Sequence, residues 1–224
     1  MDCPCGAARK LKYSRTLQFA NIPESFKDNN LSNFKTDVYD NIHWAEQLLN
    51  VAKMYVKEYF TTYRKQGLGM YIWSSTKGSG KTRYAVSIAN ELMKVGVVVK
   101  FATASDILSN IRSTWNEKAE ASEEEVINRL SDVDVLIIDD FGVTKQKEYV
   151  DERFFQIINK RYVQKKATIV TSNLALDSLE MDERIKSRLK EITNEVPFPN
   201  CSVRDQMALD HKESWENALK VWHE

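Results

Sequence analysis

The sequence predicts a three-layer α/β fold built on a parallel five-stranded sheet. Three observations carry that expectation. Short apolar runs alternate with helical patterns along most of the 224 residues, as in consecutive βαβ units. One run, Tyr71–Trp73, leads through Ser74 and Ser75 into Thr76-Lys77-Gly78-Ser79-Gly80-Lys81-Thr82 and then a helical pattern. That is the strand–loop–helix context of a phosphate-binding loop. Another run, Val135–Ile138, delivers Asp139 and Asp140 at its C-terminal end, where ligands of open α/β sheets bind.

The elements follow in order. Residues 1–38 mix Pro, Asn, Asp and Ser with isolated apolar residues (Leu17, Phe19, Ile22, Phe26, Leu31, Phe34). This reads as an extended arm packed on a domain. From about Asp40 to Gln66, Ala45, Leu48, Leu49, Ala52, Tyr55, Val56, Tyr59, Phe60 and Tyr63 recur at helical spacing. Asp40 can cap this helix and Gly67 can stop it. Its aromatics read as core rather than as a platform for bases. After the loop, a helix is expected to about Val95, with Gly96 ending it. Val97–Phe101 reads as a buried strand. Ser105 can cap a helix carrying Ile107, Leu108, Ile111 and Trp115, and Ser122 to Glu125 form a capping box for another. Val133–Ile138 is the next strand. Glu148 to about Lys165 is amphipathic, with Val150, Phe154, Ile157, Ile158 and Tyr162 expected inward. Ala167–Val170 is a strand, Ser178 to about Lys190 a helix, and Ile192–Val196 the last strand, ended by Pro197 and Pro199. A polar helix with Trp215 and Trp222 closes the chain.

Composition sets bounds. Thirty-two basic and 32 acidic residues cancel, so contact with nucleic acid needs a local patch. No apolar run approaches the roughly 18 residues of a membrane span, no signal-peptide pattern opens the chain, and no membrane partner is expected. Three cysteines make no disulfide framework, which points to a cytoplasmic compartment. Cys3 and Cys5 read as free thiols or as half of a zinc knuckle whose other half is missing.

The chemistry is concentrated in a few residues. Gly78 and Gly80 let consecutive backbone N–H groups converge on phosphate oxygens, and the following helix adds its N-terminal N–H groups. Lys81 would reach the β- and γ-phosphates and Thr82 would ligate Mg²⁺. Ser75 stands where this motif usually has its first Gly, a turn it can make with φ negative. Asp139 would hold the metal and Asp140 would orient or deprotonate a water. Asn173, ending the next strand, fits a γ-phosphate or water contact, or a plain turn. Arg184 and Arg188 share one helix face, either as a solvated basic patch with Glu183 and Glu191 or with Arg188 reaching a neighbouring subunit's γ-phosphate.

The order SSTKGSGKT, VLIIDDFG, TIVTSNL, ERIKSRL and then Ser202-x-Arg204 resembles the AAA+ ATPases of the DnaC/DnaI helicase-loader family, with IstB-type transposition helpers as relatives. The resemblance covers about residues 17–205. It implies an AAA+ domain over 39–205 with little or no C-terminal lid, a helical tail over 206–224, and an arm over 1–38. That arm would be the remnant of a zinc-binding, helicase-contacting domain plus linker, with Cys3 and Cys5 at its tail. It implies ATP held by Thr76, Lys77, Gly78, Ser79, Gly80, Lys81, Thr82, Arg83 and Arg204, and Mg²⁺ held by Thr82 and Asp139. Asp140, Asn173 and Arg188 would be catalytic, Asn173 as sensor 1 and Arg188 as an arginine finger. It further implies a replicative helicase and single-stranded DNA as partners, and homo-oligomers formed with ATP. Lys100, Arg112 and Lys118 are candidate DNA-phosphate contacts. An IstB-type helper on duplex DNA, or a nucleotide-bound adaptor without hydrolysis, are the competing expectations.

Overall fold

The computed structural model describes residues 18–116, 119–142 and 148–221. Cys3, Cys5, Leu17, Lys118 and Trp222 lie outside the described residues.

Five parallel strands form one sheet in the order β2-β3-β4-β1-β5. They are β1 (Gly69–Trp73), β2 (Val99–Thr103), β3 (Val135–Phe141), β4 (Ala167–Ser172) and β5 (Thr193–Pro197). Alternate residues of the central strands enter two cores. Ile72, Ile137 and Ile169 face α1 (Ile42–Glu58) and α2 (Lys81–Lys94). Tyr71, Leu136, Ile138 and Val170 face α3 (Ala104–Ser113), α4 (Glu123–Ser131), α5 (Glu148–Val163) and α6 (Glu183–Ile192). Both faces are covered, which is why these strands read as nearly continuous apolar runs. A final helix, α7 (Val203–Val221), follows β5.

Several local expectations are corrected. Asn41, not Asp40, caps α1, its side chain accepting from the Trp44 N–H at 3.0 Å. That helix does not run unbroken to Gln66. A π-turn over Tyr59–Tyr63 interrupts it, and the shifted register stacks Tyr55 on Tyr63 with centroids 4.5 Å apart while Phe60 turns to solvent. Thr103, not Ser105, caps α3, and Trp115 lies beyond that helix, exposed. Asp182 caps α6, and Leu176–Ser178 form only a 3₁₀ turn. At the end of α5 Tyr162 packs partly buried against the core, and the fully buried residue is Arg161. It continues the i, i+3, i+4, i+7 stripe of Phe154, Ile157 and Ile158. Its guanidinium is fully buried and donates to the carbonyls of Leu130, Ser131 and Val133, each at 3.0 Å. These acceptors offset a burial that pushes its pKa down to about 9.

The segment before α1 wraps the outside of α2. Ala20, Ile22, Leu31, Phe34 and Tyr39 are buried in the same core as that helix. Asn90 donates to the carbonyls of Lys27 (3.2 Å) and Asn29 (2.6 Å), and Arg83 to that of Asn33 (2.9 Å). Lys100, a candidate DNA-phosphate contact, donates to the Phe19 carbonyl at 2.8 Å and lies over the Phe19 ring.

Candidate nucleotide-binding site

At the C-terminal edge of the sheet the loop between β1 and α2 bounds an open cavity of about 730 Å³. Both loop glycines hold positive φ, 77° at Gly78 and 97° at Gly80. Neither has room for a side chain. A Cβ on Gly80 would come within 2.5 Å of the Tyr39 hydroxyl, and one on Gly78 within 2.9 Å of Ser202 Oγ. Ser75 makes its turn without positive φ, and its hydroxyl and that of Ser74 both approach Asn200 Oδ1, at 3.1 and 3.0 Å. The loop is thus braced from the segment after β5, and the Arg204 N–H adds a bond to the Gly78 carbonyl at 3.3 Å.

Lys81 is 6 % exposed. Its ammonium donates to the Thr76 carbonyl at 3.0 Å and to Ser79 Oγ at 3.2 Å. Burial lowers its pKa, while Asp140 and Asp139 oppose that shift. The charge is held against the loop at the place where phosphate would sit.

Asp139 is buried, and burial raises its carboxyl pKa against hydrogen bonds from Thr171 and Thr82 that lower it. The Thr82 hydroxyl donates to Asp139 Oδ1 at 2.8 Å and the Thr171 hydroxyl to the same oxygen at 2.5 Å. Asp140 is exposed and holds φ 53°. The β3–β4 ladder is irregular here. Ile138 pairs with Val170 and Phe141 with Ser172, so Asp139 and Asp140 together face Thr171 alone. A regular strand points successive side chains to opposite faces. This bulge lets both carboxylates line one cavity.

The cavity gathers Lys77, Gly78, Ser79, Gly80, Lys81, Thr82, Arg83, Asp139, Asp140, Asn173 and Arg204. Thr76 is not on its wall but supplies the carbonyl that holds Lys81. Arg188 is elsewhere: its guanidinium lies 4.1 Å from the Tyr162 ring centroid and 3.3 Å from Glu191. Ser25, Phe26 and Asn29 of the N-terminal segment, and Val203, Met207 and Ala208 of α7, complete the wall. Sequence reasoning missed these and Thr171. Thr171 stands inside the TIVTSNL run, where nothing in the sequence marks a carboxylate as its partner, and the 3₁₀ turn Glu24–Phe26 has no period to detect.

The family described as IstB-like ATP binding protein matches residues 70–186 of this sequence. The chain belongs to this family. A curated relative, the replicative helicase loader DnaC of Buchnera aphidicola subsp. Baizongia pistaciae, is 30% identical over 184 residues, covering 81% of this chain and 71% of that one. Two solved structures share the fold. The crystal structure of DnaI gives a TM-score of 0.67 at 22% identity, covering 80% of this chain and 95% of the other. A replication initiator DnaA, bound to AMPPCP and single-stranded DNA, gives 0.60 at 24% identity, covering 75% and 49%. As a member of the IstB-like ATP-binding family, with the AAA+ fold of these neighbours, the chain binds nucleotide.

The donor set around Asp139 fits magnesium. Thr82 and Asp139 present hard oxygens already in contact, and Mg²⁺ is usually held by one or two protein oxygens together with substrate phosphates. No helix among the described residues is long and apolar enough to cross a membrane.

Proposed function

We propose that the chain is a Mg²⁺-dependent ATPase that loads a replicative helicase onto single-stranded DNA. The observation that carries the ATPase reading is the convergence of Lys81, Thr82, Asp139, Asp140, Asn173 and Arg204 on one cavity. Loop N–H groups and Lys81 bind the β- and γ-phosphates. Thr82 and Asp139 would hold Mg²⁺, which would supply charge to offset that on the phosphate oxygens. Asp140 orients the attacking water as general base, Asn173 contacts that water or the γ-phosphate, and Arg204 lies on the same wall. These roles make residues 39–205 the ATPase core, with an arm before it and a helical tail after it.

Arg188 does not line its own cavity, which favours a role on a neighbouring protomer's nucleotide and so assembly of copies with ATP. The similarity to a DnaC loader supports the helicase, and the fold shared with a DNA-bound initiator supports single-stranded DNA. The family's description, IstB-like ATP binding protein, keeps the IstB-type helper as the second reading. A cytoplasmic location follows from either.

The deciding experiment measures ATP turnover, and helicase transfer to a single-stranded circle, with the replicative helicase of the same cell. Turnover stimulated by single strands, with the helicase delivered, is expected. Stimulation by duplex DNA alone, with no delivery, would move the reading to the transposition helper. No turnover under any condition would leave the adaptor.

A further inference from the structure

We propose that Thr171 is the positioning residue for both carboxylates of the site, one hydroxyl setting the metal-side Asp139 and the water-side Asp140 together. The proposal rests on the ATPase reading and deepens it. Its basis is the bulge. Between the pairs Ile138–Val170 and Phe141–Ser172, β3 has one residue more than β4. The extra residue leaves the Asp140 N–H and the Phe141 carbonyl outside the regular ladder, and buried backbone groups of this kind must find other partners. The two hydroxyls of β4 supply them. The Thr171 hydroxyl accepts from the Asp140 N–H at 3.1 Å, and Ser172 Oγ donates to the Phe141 carbonyl at 2.8 Å.

Thr171 has a second task, because the proton it donates goes to a carboxylate of the site. Its single proton goes to Asp139 Oδ1 at 2.5 Å while its lone pair takes the Asp140 amide. One oxygen is therefore fixed from both sides, in a side chain only 1 % exposed. Asp140 holds φ 53°, a conformation that non-glycine residues adopt at some cost. The amide bond to Thr171 is what the described structure offers to retain it. Without it, the strand can relax toward regular pairing and swing the Asp140 side chain out of the cavity. The threonine Cβ branch keeps the hydroxyl in one rotamer. Valine preserves that shape and loses both bonds. Serine preserves both bonds and loses only the stiffness.

The test uses the full chain with Thr171→Val and Thr171→Ser. For the valine variant kcat is expected to fall about 100-fold, the scale of a misplacement near 1 Å, while KM for ATP stays within about twofold because the loop is untouched. Exchange of the Asp140 amide proton, followed by NMR without nucleotide, is expected to speed up at least tenfold in the valine variant. Thr171→Ser should restore most of both. Parental turnover in the valine variant would overturn the proposal. So would a serine variant as impaired as the valine one, or a KM that rises in step with the loss of kcat, since either marks general damage to the fold. A parental chain without turnover would sink the ATPase reading instead. The amide exchange would then still decide whether Thr171 holds Asp140.

Discussion

The cleft and the outer face of α6 both carry basic residues, and they hold them in opposite ways. Lys81 is 6 % exposed, locked to the Thr76 carbonyl and Ser79 Oγ, with its pKa lowered by burial. Arg188 is 34 % exposed and rests on Tyr162 and Glu191 by contacts that solvent and salt can compete with. A group that binds resting nucleotide must be in place before it arrives, and the core supplies that rigidity. A group that completes a site on another molecule must be displayed, and a surface helix supplies that. On the proposed reading, the chain holds the binding half of a catalytic site as a built structure and shows the remaining arginine outward.

Breaking the built half should have the largest effect. Lys81→Ala removes the fixed charge at the phosphate end, so ATP binding, read by calorimetry, and turnover should both be lost. Binding within threefold of the parent would mean that the loop N–H groups suffice. Arg188→Ala should leave the ATP affinity of the isolated chain unchanged and lower turnover by about 10³-fold or more. Lysine there should rescue poorly, lacking the planar fork. Mixing Arg188→Ala with Lys81→Ala should regain activity, because one partner brings an intact cleft and the other an intact arginine. A mixture as inactive as its components would refute action in trans. Asp140→Asn comes next, with turnover down about 10²–10³-fold and binding kept, since Asp139 and Lys81 are untouched. Parental turnover would remove Asp140 from the mechanism.

The same contrast explains what the sequence could show. The loop, Asp139, Asp140 and Asn173 were legible because a phosphate-binding motif has fixed residue types at the ends of neighbouring strands. The order of elements was legible from apolar periodicity. The bulge was not, because a regular strand and a bulged one share the pattern Val-Leu-Ile-Ile-Asp-Asp, and the hydroxyl that fastens it belongs to another strand. Arg161 was not, because its burial depends on carbonyls at the ends of α4 and β4 that converge only in the fold. The acceptor of Lys100, the Phe19 carbonyl, was not legible either, because charge is visible in a sequence and a backbone partner is not.

The smallest effect concerns the other wall of the cleft, and it sharpens the comparison by asking whether the nucleoside end is built as the phosphate end is. Asn90 sits on α2, 1 % exposed, with its amide turned toward the N-terminal segment. It donates to the carbonyls of Lys27 and Asn29 and more distantly to that of Phe26, at 3.2, 2.6 and 3.4 Å. Phe26 and Asn29 are two of the three cavity-lining residues of that segment. Asn90→Ala leaves those carbonyls short of a donor, a cost of about 1–3 kcal/mol, and frees the wall from the helix that carries Lys81. ATP affinity should fall about five- to tenfold, equivalent to roughly 1–1.4 kcal/mol. Inorganic tripolyphosphate engages the loop alone and has no base to place, so its affinity should not change. Equal losses for the two ligands would show that Asn90 acts through α2 and the loop. No loss for either would show that the nucleoside does not touch this wall. Loss for ATP alone would make the nucleoside end, like the phosphate end, a structure in place before the ligand arrives, and leave Arg188 as the one predicted catalytic group held outside the cleft.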